Sequence, residues 1–383
     1  MPNKEQYIIY FGHFELPDKN ALAHRVRTNV NMIRSYGIRG ILIGYTRNLP
    51  VSFAESDNEQ YEIRYPETIK EWIQDNSSYK YIERILLDKN PDLCKAIIAT
   101  GVGAGNTLGM IHLSKKYGVP YISDIVDWIL YSKNKYIYNA IKFFYEYLIC
   151  SRLVQCRVKN RIFISSYIAT KYNNKGRNTI IIPSLTYSKD DRFDSLPRYV
   201  AKDHIELCYA GNPGRKGAKD RIDWCVMAFN DLAPDNAVLN IYGINRETFE
   251  KDFPEVDINH KGIVFHGSCS NSICLKSIAC SDYFIFARED TEITKSGFPT
   301  KFSEALAIGT PVITTPTSDL KLYLKNGYNG FISEECSYRS LSKIMKEAFS
   351  LDATQRTALH YRESPLDESL WRNRFKAFFD RLI

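Results

Sequence analysis

Lys295-Ser296-Gly297-Phe298-Pro299-Thr300-Lys301-Phe302-Ser303-Glu304-Ala305-Leu306-Ala307-Ile308-Gly309-Thr310-Pro311-Val312-Ile313 is the stretch on which the fold turns. It reads as one helix with both ends marked. Gly297 predicts an unusual backbone conformation ahead of the helix, and Pro299 suits the first helical position, where its missing N–H costs nothing. Phe302, Ala305 and Leu306 supply an apolar stripe, Gly309 ends the helix and Pro311 prevents its return. Apolar runs at 282–286 and 312–315 flank it on either side. Strand, loop, short helix and strand make one unit of a parallel α/β sheet.

The chemistry of this unit lies at the helix N-terminus. Unpaired backbone N–H groups and the positive dipole end attract phosphate, and Lys301 adds a full charge in the first turn. Glu304 follows one turn later, where a carboxylate can accept two hydrogen bonds from vicinal hydroxyls such as those of a ribose. Phosphate at the tip with ribose beside it describes a nucleotide diphosphate site. An ordinary capped helix with a solvated Lys and Glu is the alternative.

The run from Gly297 to Ile313 resembles the donor-binding segment of glycosyltransferase family 4, enzymes that transfer a sugar from a nucleotide sugar with retention of configuration. The resemblance implies a GT-B fold: an α/β protein of two Rossmann-like domains facing a central cleft, with a C-terminal helix crossing back to the first domain. It implies residues 1–195 as an acceptor-binding domain, 196–365 as a nucleotide-sugar-binding domain and 366–383 as the returning helix. In that family the second acid of a Glu-x7-Glu motif holds the ribose, and it matches Glu304. The first acid falls at Ser296, a departure that bears on the donor-sugar contact and leaves an inactive relative open.

Length and composition agree with two soluble domains. At 383 residues the chain exceeds one ordinary core. Hydrophobic content of 44% beside 25% charged residues is that of a globular protein. No apolar run reaches a membrane span, and the polar opening 1–6 leads straight into a strand, so no signal peptide is expected. Nine cysteines without a Cys-x-x-Cys pair or zinc spacing fit a reducing cytoplasm, and no metal site is expected. A net charge of +7 admits anionic small molecules or a membrane surface, while no nucleic-acid-binding signature is present.

In the first half, 7–11 and 38–45 read as strands around a helix at 21–35 capped by Asn20. The first loop lacks Gly-x-Gly-x-x-Gly, which argues against a dinucleotide there. A second glycine-rich loop at 100–106 matches neither a Walker A motif nor the Rossmann spacing and reads as cleft lining. Asp124 and Asp127 follow the strand at 120–123, where ligands of open α/β sheets bind. The resemblance places a residue facing the reacting sugar in this segment, matched by Asp124 or Asp127; capping and first-turn roles are the alternative. Residues 132–161 mix Tyr136, Tyr138, Phe143, Phe144, Tyr145 and Tyr147 with Lys133, Lys135, Lys142, Arg152, Arg157 and Lys159, a combination that suits either a membrane interface or a core helix with a basic face.

Residues 185–203 are polar and read as the linker. A second βα series starts at 205–211, and the loop 212–220 offers Arg215, Lys216 and Lys219 at the end of its first strand, next to Gly211. Cations there can neutralise a diphosphate leaving group. The resemblance makes Lys219 the best match for that role, with Arg215 and Lys216 as contenders. His266 ends a strand whose loop lies near the nucleotide base in the family, and Arg288 follows the strand 283–286 within reach of phosphate or sugar. Residues 327–332 resemble the family's final hairpin-like segment. The apolar spacing of Leu370, Trp371, Phe375, Phe378 and Phe379 predicts a last helix over 366–383.

Taken with these features, the resemblance implies a cytoplasmic, metal-independent, retaining glycosyltransferase of bacterial surface polysaccharide synthesis, with a nucleotide diphosphate sugar as donor and no separate cofactor. Its acceptor would be a glycan or a lipid-linked molecule, with contact at the inner face of the membrane. A nucleotide-sugar 2-epimerase and a non-catalytic GT-B subunit are the rival expectations.

Overall fold

A computed structural model describes residues 5–17, 19–46, 60–128, 144–187, 190–232 and 235–383. Its contacts divide the chain into two compact units, residues 1–183 with 371–383, and residues 184–370.

In the first unit, seven strands form one sheet: β1 (Tyr7–Gly12), β2 (Arg39–Thr46), β3 (Gln60–Arg64), β4 (Cys94–Thr100), β5 (Tyr121–Ile125), β6 (Asn160–Phe163) and β7 (Asn178–Ile181). The order is β3-β2-β1-β4-β5-β6-β7, and every pairing is parallel. β1 and β5 are buried along their whole lengths; β1 accordingly reads as an unbroken apolar run, while β5 carries Ser123 and the buried Asp124 inside it. The edge strand β3 alternates polar and apolar residues and is half-buried. The helix Ala21–Arg34 starts where expected, with the Asn20 side chain accepting from the Ala23 N–H.

The second unit repeats the plan with β8 (Ile205–Ala210), β9 (Ala237–Tyr242), β10 (Ile263–Gly267), β11 (Tyr283–Phe286), β12 (Val312–Thr314) and β13 (Gly330–Ile332), ordered β10-β9-β8-β11-β12-β13 and again all parallel. Both sheets therefore reverse their winding beside their first strand, between β1 and β4 and between β8 and β11. Crevices at the carboxyl ends of such strand pairs are where α/β sheets bind ligands.

Several local expectations change. Pro299 is the residue before the helix Thr300–Ile308 rather than its first member, and Gly297 has φ −82°, an ordinary extended conformation open to any residue. Gly309 does end the helix in the left-handed conformation, at φ 88°. The hairpin-like expectation at 327–332 resolves into a tight turn, with Gly327 N–H donating to the Gly330 carbonyl, followed by β13.

The last helix is Arg372–Phe379, not 366–383. The reason is local: Thr186 and Asp367 form a parallel bridge in which Thr186 N–H donates to Leu366 O at 3.0 Å and Glu368 N–H to Thr186 O at 2.9 Å. Backbone used that way cannot carry an α-helix through 366–368, Glu368–Leu370 forms only a short 3-10 turn, and Leu370 is left exposed. The bridge pairs the opening and closing segments of the second unit. Beyond it, Phe375 and Phe378 are fully buried in the first unit, where Asn178 Nδ2 donates to Phe378 O and Asn160 bonds both backbone groups of Ile383.

Residues 190–203, read from sequence as a linker, pack onto the second unit. The Tyr199 ring stacks on His360 at a centroid distance of 3.6 Å, and its hydroxyl donates to the Asp282 carboxylate, which also accepts from Arg356 Nε at 2.7 Å. His360 is 5% exposed, and burial pushes its imidazole down to about 4 against the pull of Asp282. A base with a folded pKa below its unfolded value of about 6.5 lends stability above that pH and loses it as pH falls towards 4. The difference is worth roughly 3 kcal/mol. Urea midpoints measured from pH 7 to 4.5 should therefore fall more steeply in the native chain than in His360→Phe; equal slopes would refute the assignment.

Of the aromatic and basic stretch 132–161, Lys133, Lys135, Tyr136, Tyr138, Lys142 and Phe143 lie outside the described residues. Within them, Tyr145–Val154 is a π-helical segment with Phe144, Leu148 and Leu153 exposed. No helix of the described residues is long and apolar enough to cross a membrane.

Candidate functional site

The site grows from the carboxyl ends of β8 and β11 and the start of the helix Thr300–Ile308. Asp220, 1% exposed, is its centre. Its carboxylate accepts from the Lys301 ammonium, from Arg288 Nε at 2.9 Å and from the Tyr209 hydroxyl at 3.0 Å. Burial would push the Asp220 carboxyl up, but Lys301 and Arg288 outweigh it and hold it below the usual carboxylate range. Burial pulls the Lys301 ammonium down, with Asp220 opposing. One carboxylate thus fixes two cations at the positive end of a helix and leaves the trio with a net positive charge, the electrostatics that suit a phosphate.

Gly211 completes this corner. It has φ +147°, and a Cβ there would stand 2.3 Å from Lys301 Nζ. Any side chain would push the ammonium off its place, so the glycine that closes β8 is required by the lysine as much as by its own backbone.

One turn along the helix, Glu304 Oε1 accepts from Arg192 Nη1 at 3.0 Å. Burial raises the Glu304 carboxyl, and Arg192 opposes that rise. The helix is seated by Ser303 Oγ, which donates to Ser184 O at 2.6 Å, and by Phe302, which is fully buried. Phe298 packs edge-on against Phe302 and Tyr323, so its ring belongs to the core. The Thr300 hydroxyl faces Ser184 Oγ at 3.4 Å. Ser296, at the place of the first motif acid, is 1% exposed and donates to Ile293 O within its own short helix.

The loop 212–219 leaves Arg215, Lys216 and Lys219 exposed. Lys216 adopts φ 50°, a conformation costly for a side-chain-bearing residue, and its N–H is held by Asp252 Oδ2 at 3.0 Å. Arg215 and Lys216 line a pocket of about 750 Å³ together with Asn212, Gly243, Asn245 and Lys251. His266 lies flat on Tyr242, 4.2 Å between centroids, with Nε2 2.8 Å from Asn240 Oδ1.

Asp124 and Asp127 belong to the other unit. Asp124 is buried and takes a two-pronged bond from Arg25, at 2.9 and 2.7 Å, plus the Tyr10 hydroxyl at 2.6 Å. Asp127 is exposed, just past the end of β5. Lys301, Arg288 and Gly211 are thus brought together, with Glu304 a turn away. Sequence reasoning passed over Asp220, Tyr209 and Arg192. The first had a signal, a lone acid closing a glycine-containing loop that carries three cations, Arg215, Lys216 and Lys219. Arg192 sat inside a stretch read as linker.

Comparison with solved structures places the chain in the GT-B fold. Sucrose-phosphate synthase from Thermosynechococcus elongatus superposes with a TM-score of 0.66 at 13% identity, covering 98% of this chain and 95% of that one. Anabaena HepE in complex with UDP-glucose gives 0.62 at 11%, covering 98% and 100%. The UDP-GlcNAc 2-epimerase of Methanocaldococcus jannaschii gives 0.54 at 13%, covering 98% and 99%. Residues 204–350, less than half of the chain, match the sequence-family model described as Glycosyl transferases group 1. A search against curated proteins finds no match. The segment carrying the Asp220 cluster and Glu304 is therefore similar in sequence to glycosyltransferases, and the whole chain is similar to them in fold.

Proposed function

We propose that the protein is a glycosyltransferase that moves a sugar, with retention, from a nucleotide diphosphate sugar to a glycan or lipid-linked acceptor in bacterial surface polysaccharide synthesis. The observation that carries this is the Asp220-held pair of cations at the start of the helix Thr300–Ile308, with Glu304 one turn on, inside the segment that matches the glycosyltransferase model. Lys301 and Arg288 would face the diphosphate, joined by Lys219, Arg215 or Lys216, and would stabilise the charge that builds as the glycosidic bond breaks. Glu304 would accept the ribose hydroxyls. The leaving phosphate would take the acceptor's proton, so no side chain need form a covalent intermediate and no metal ion is required. Asp127 or Asp124 would orient donor or acceptor. The reaction would take place in the cytoplasm, at the inner face of the membrane.

Ser296 favours a second reading, a non-catalytic GT-B subunit, since its buried hydroxyl offers no carboxylate to a donor sugar. A nucleotide-sugar 2-epimerase would need acid and base residues that the described site does not assemble.

A thermal-shift panel of UDP, GDP, CMP, ADP and NAD tests the reading, with Glu304→Ala beside the native chain. A nucleotide at a hundredfold excess over its Kd stabilises the native state by about 2.7 kcal/mol, a shift of several degrees. One nucleoside diphosphate should give that shift and lose it in Glu304→Ala. A shift with NAD alone, or with none, removes the donor site. Sugar transfer from the matching nucleotide sugar then separates enzyme from subunit.

A further inference from the structure

The stretch that opens the second unit lies along the helix Thr300–Ile308. Ser184 takes the Ser303 hydroxyl, and Arg192 takes Glu304. Arg192 is itself gripped from behind. Its Nε lies 3.0 Å from both oxygens of Asp190, and its Nη2 is 2.7 Å from Oδ2. Only Nη1 is turned towards Glu304. A guanidinium held in this way is a fixed fork rather than a mobile surface cation.

We infer that Arg192 is a positioning residue for the nucleotide ribose, holding the Glu304 carboxylate charged and aimed so that its other oxygen is left for the hydroxyls. This rests on the donor-site reading above. The geometry supports it in two ways. Arg192 engages Oε1, and no hydrogen bond joins Oε2 to a described residue, so one oxygen is anchored while the second keeps its lone pairs. The Glu304 side chain is only 12% exposed, a setting in which a carboxylate without a partner gives up its charge.

The other groups facing Glu304 do not replace the guanidinium. On its own helix, Lys301 is committed to Asp220. From the helix Asn271–Cys280, packed alongside, Cys274 is coupled to Glu304 as a neutral thiol pushed up by burial. Asp190 is a like charge, and without Arg192 it would press Glu304 further towards the neutral acid. A neutral carboxyl donates one of its hydrogen bonds and accepts ribose hydroxyls less well.

Calorimetric titration with UDP-glucose and GDP-mannose from pH 6 to 8 tests this. These probes suit the test because their diphosphates lose no proton in that window. For whichever probe binds, the native chain should change affinity less than about twofold across the range. Arg192→Gln should bind about fivefold or more weakly at pH 6 than at pH 8, because lowering the pH protonates Glu304. Arg192→Lys should restore the flat profile, and Glu304→Gln should be weak at every pH.

A native chain that binds neither probe, or a Glu304→Gln variant that binds like the native chain, overturns the donor-site reading and this inference with it. If the native chain binds and Glu304→Gln does not, but Arg192→Gln shows a flat profile, the donor site stands and Arg192 has no part in it. Tighter binding by Arg192→Gln at every pH would make Arg192 an obstacle and equally overturn the inference.

Discussion

Asp220→Asn is expected to lower the stability of the chain by about 3 kcal/mol, the lower end of the range for removing one partner of a buried ion pair. The substitution keeps the shape of the side chain, removes its charge and turns one of its two accepting oxygens into a donor. Lys301 and Arg288, with side chains 16% and 13% exposed, then face each other without the anion between them. The small residual exposure is why the low end applies. Urea unfolding followed by intrinsic fluorescence measures the loss, and a change under about 1 kcal/mol would mean that water already solvates the cations. Pyrophosphate supplies a replacement anion, so it should raise the melting temperature of Asp220→Asn more than that of the native chain. Equal shifts in the two proteins would argue that the cations do not face a phosphate site.

Asp124→Ala should cost more, about 3–5 kcal/mol, because the charge left behind is wholly interior. Arg25 is 2% exposed, and its two-pronged bond to Asp124 is accompanied by bonds from Nη1 to Ile182 O and Pro183 O at 2.7 and 2.9 Å. The pair ties β5 to the chain as it leaves β7. Arg25→Met combined with Asp124→Ala removes both charges and should be less damaging than Asp124→Ala alone, a non-additive result that identifies a direct pair. The same variants address whether Asp124 orients a substrate. A catalytic part would show as lost turnover in Asp124→Asn at unchanged urea midpoint. A purely structural part would show as the reverse.

The helix at 300–308 could be read from sequence because its ends are local: Gly309 and Pro311 act on the residues next to them. The strands were legible where burial on both faces made unbroken apolar runs, as in β1 and β11. The centre of the site was not legible, and the distances along the chain explain it. Asp220 meets Arg288 and Lys301 across 68 and 81 positions, and Asp124 meets Arg25 across 99. Pairings of that kind leave no spacing to find. A partial signal did exist in the helix Ala21–Arg34, where Arg25 and Asn29 are buried among Ala23, Val26, Val30 and Ile33. A charge that close to an apolar stripe implies an interior partner. The stretch 185–203 misled for the opposite reason: polar composition marks loops, but Asp190, Arg192 and Tyr199 use their polar atoms inside the fold.

The pairing of Thr186 with Asp367, near the two ends of the second unit, carries a consequence for how the protein is made. Residues 184–370 are one uninterrupted piece of chain, whereas the first unit is assembled from two. During synthesis the first unit has all seven of its strands early, yet Asn160 and Asn178 must wait for the last thirteen residues to supply Ile383 and Phe378. Domains fold as units while the chain emerges. The half made second is therefore free to finish first, and the half made first is sealed last.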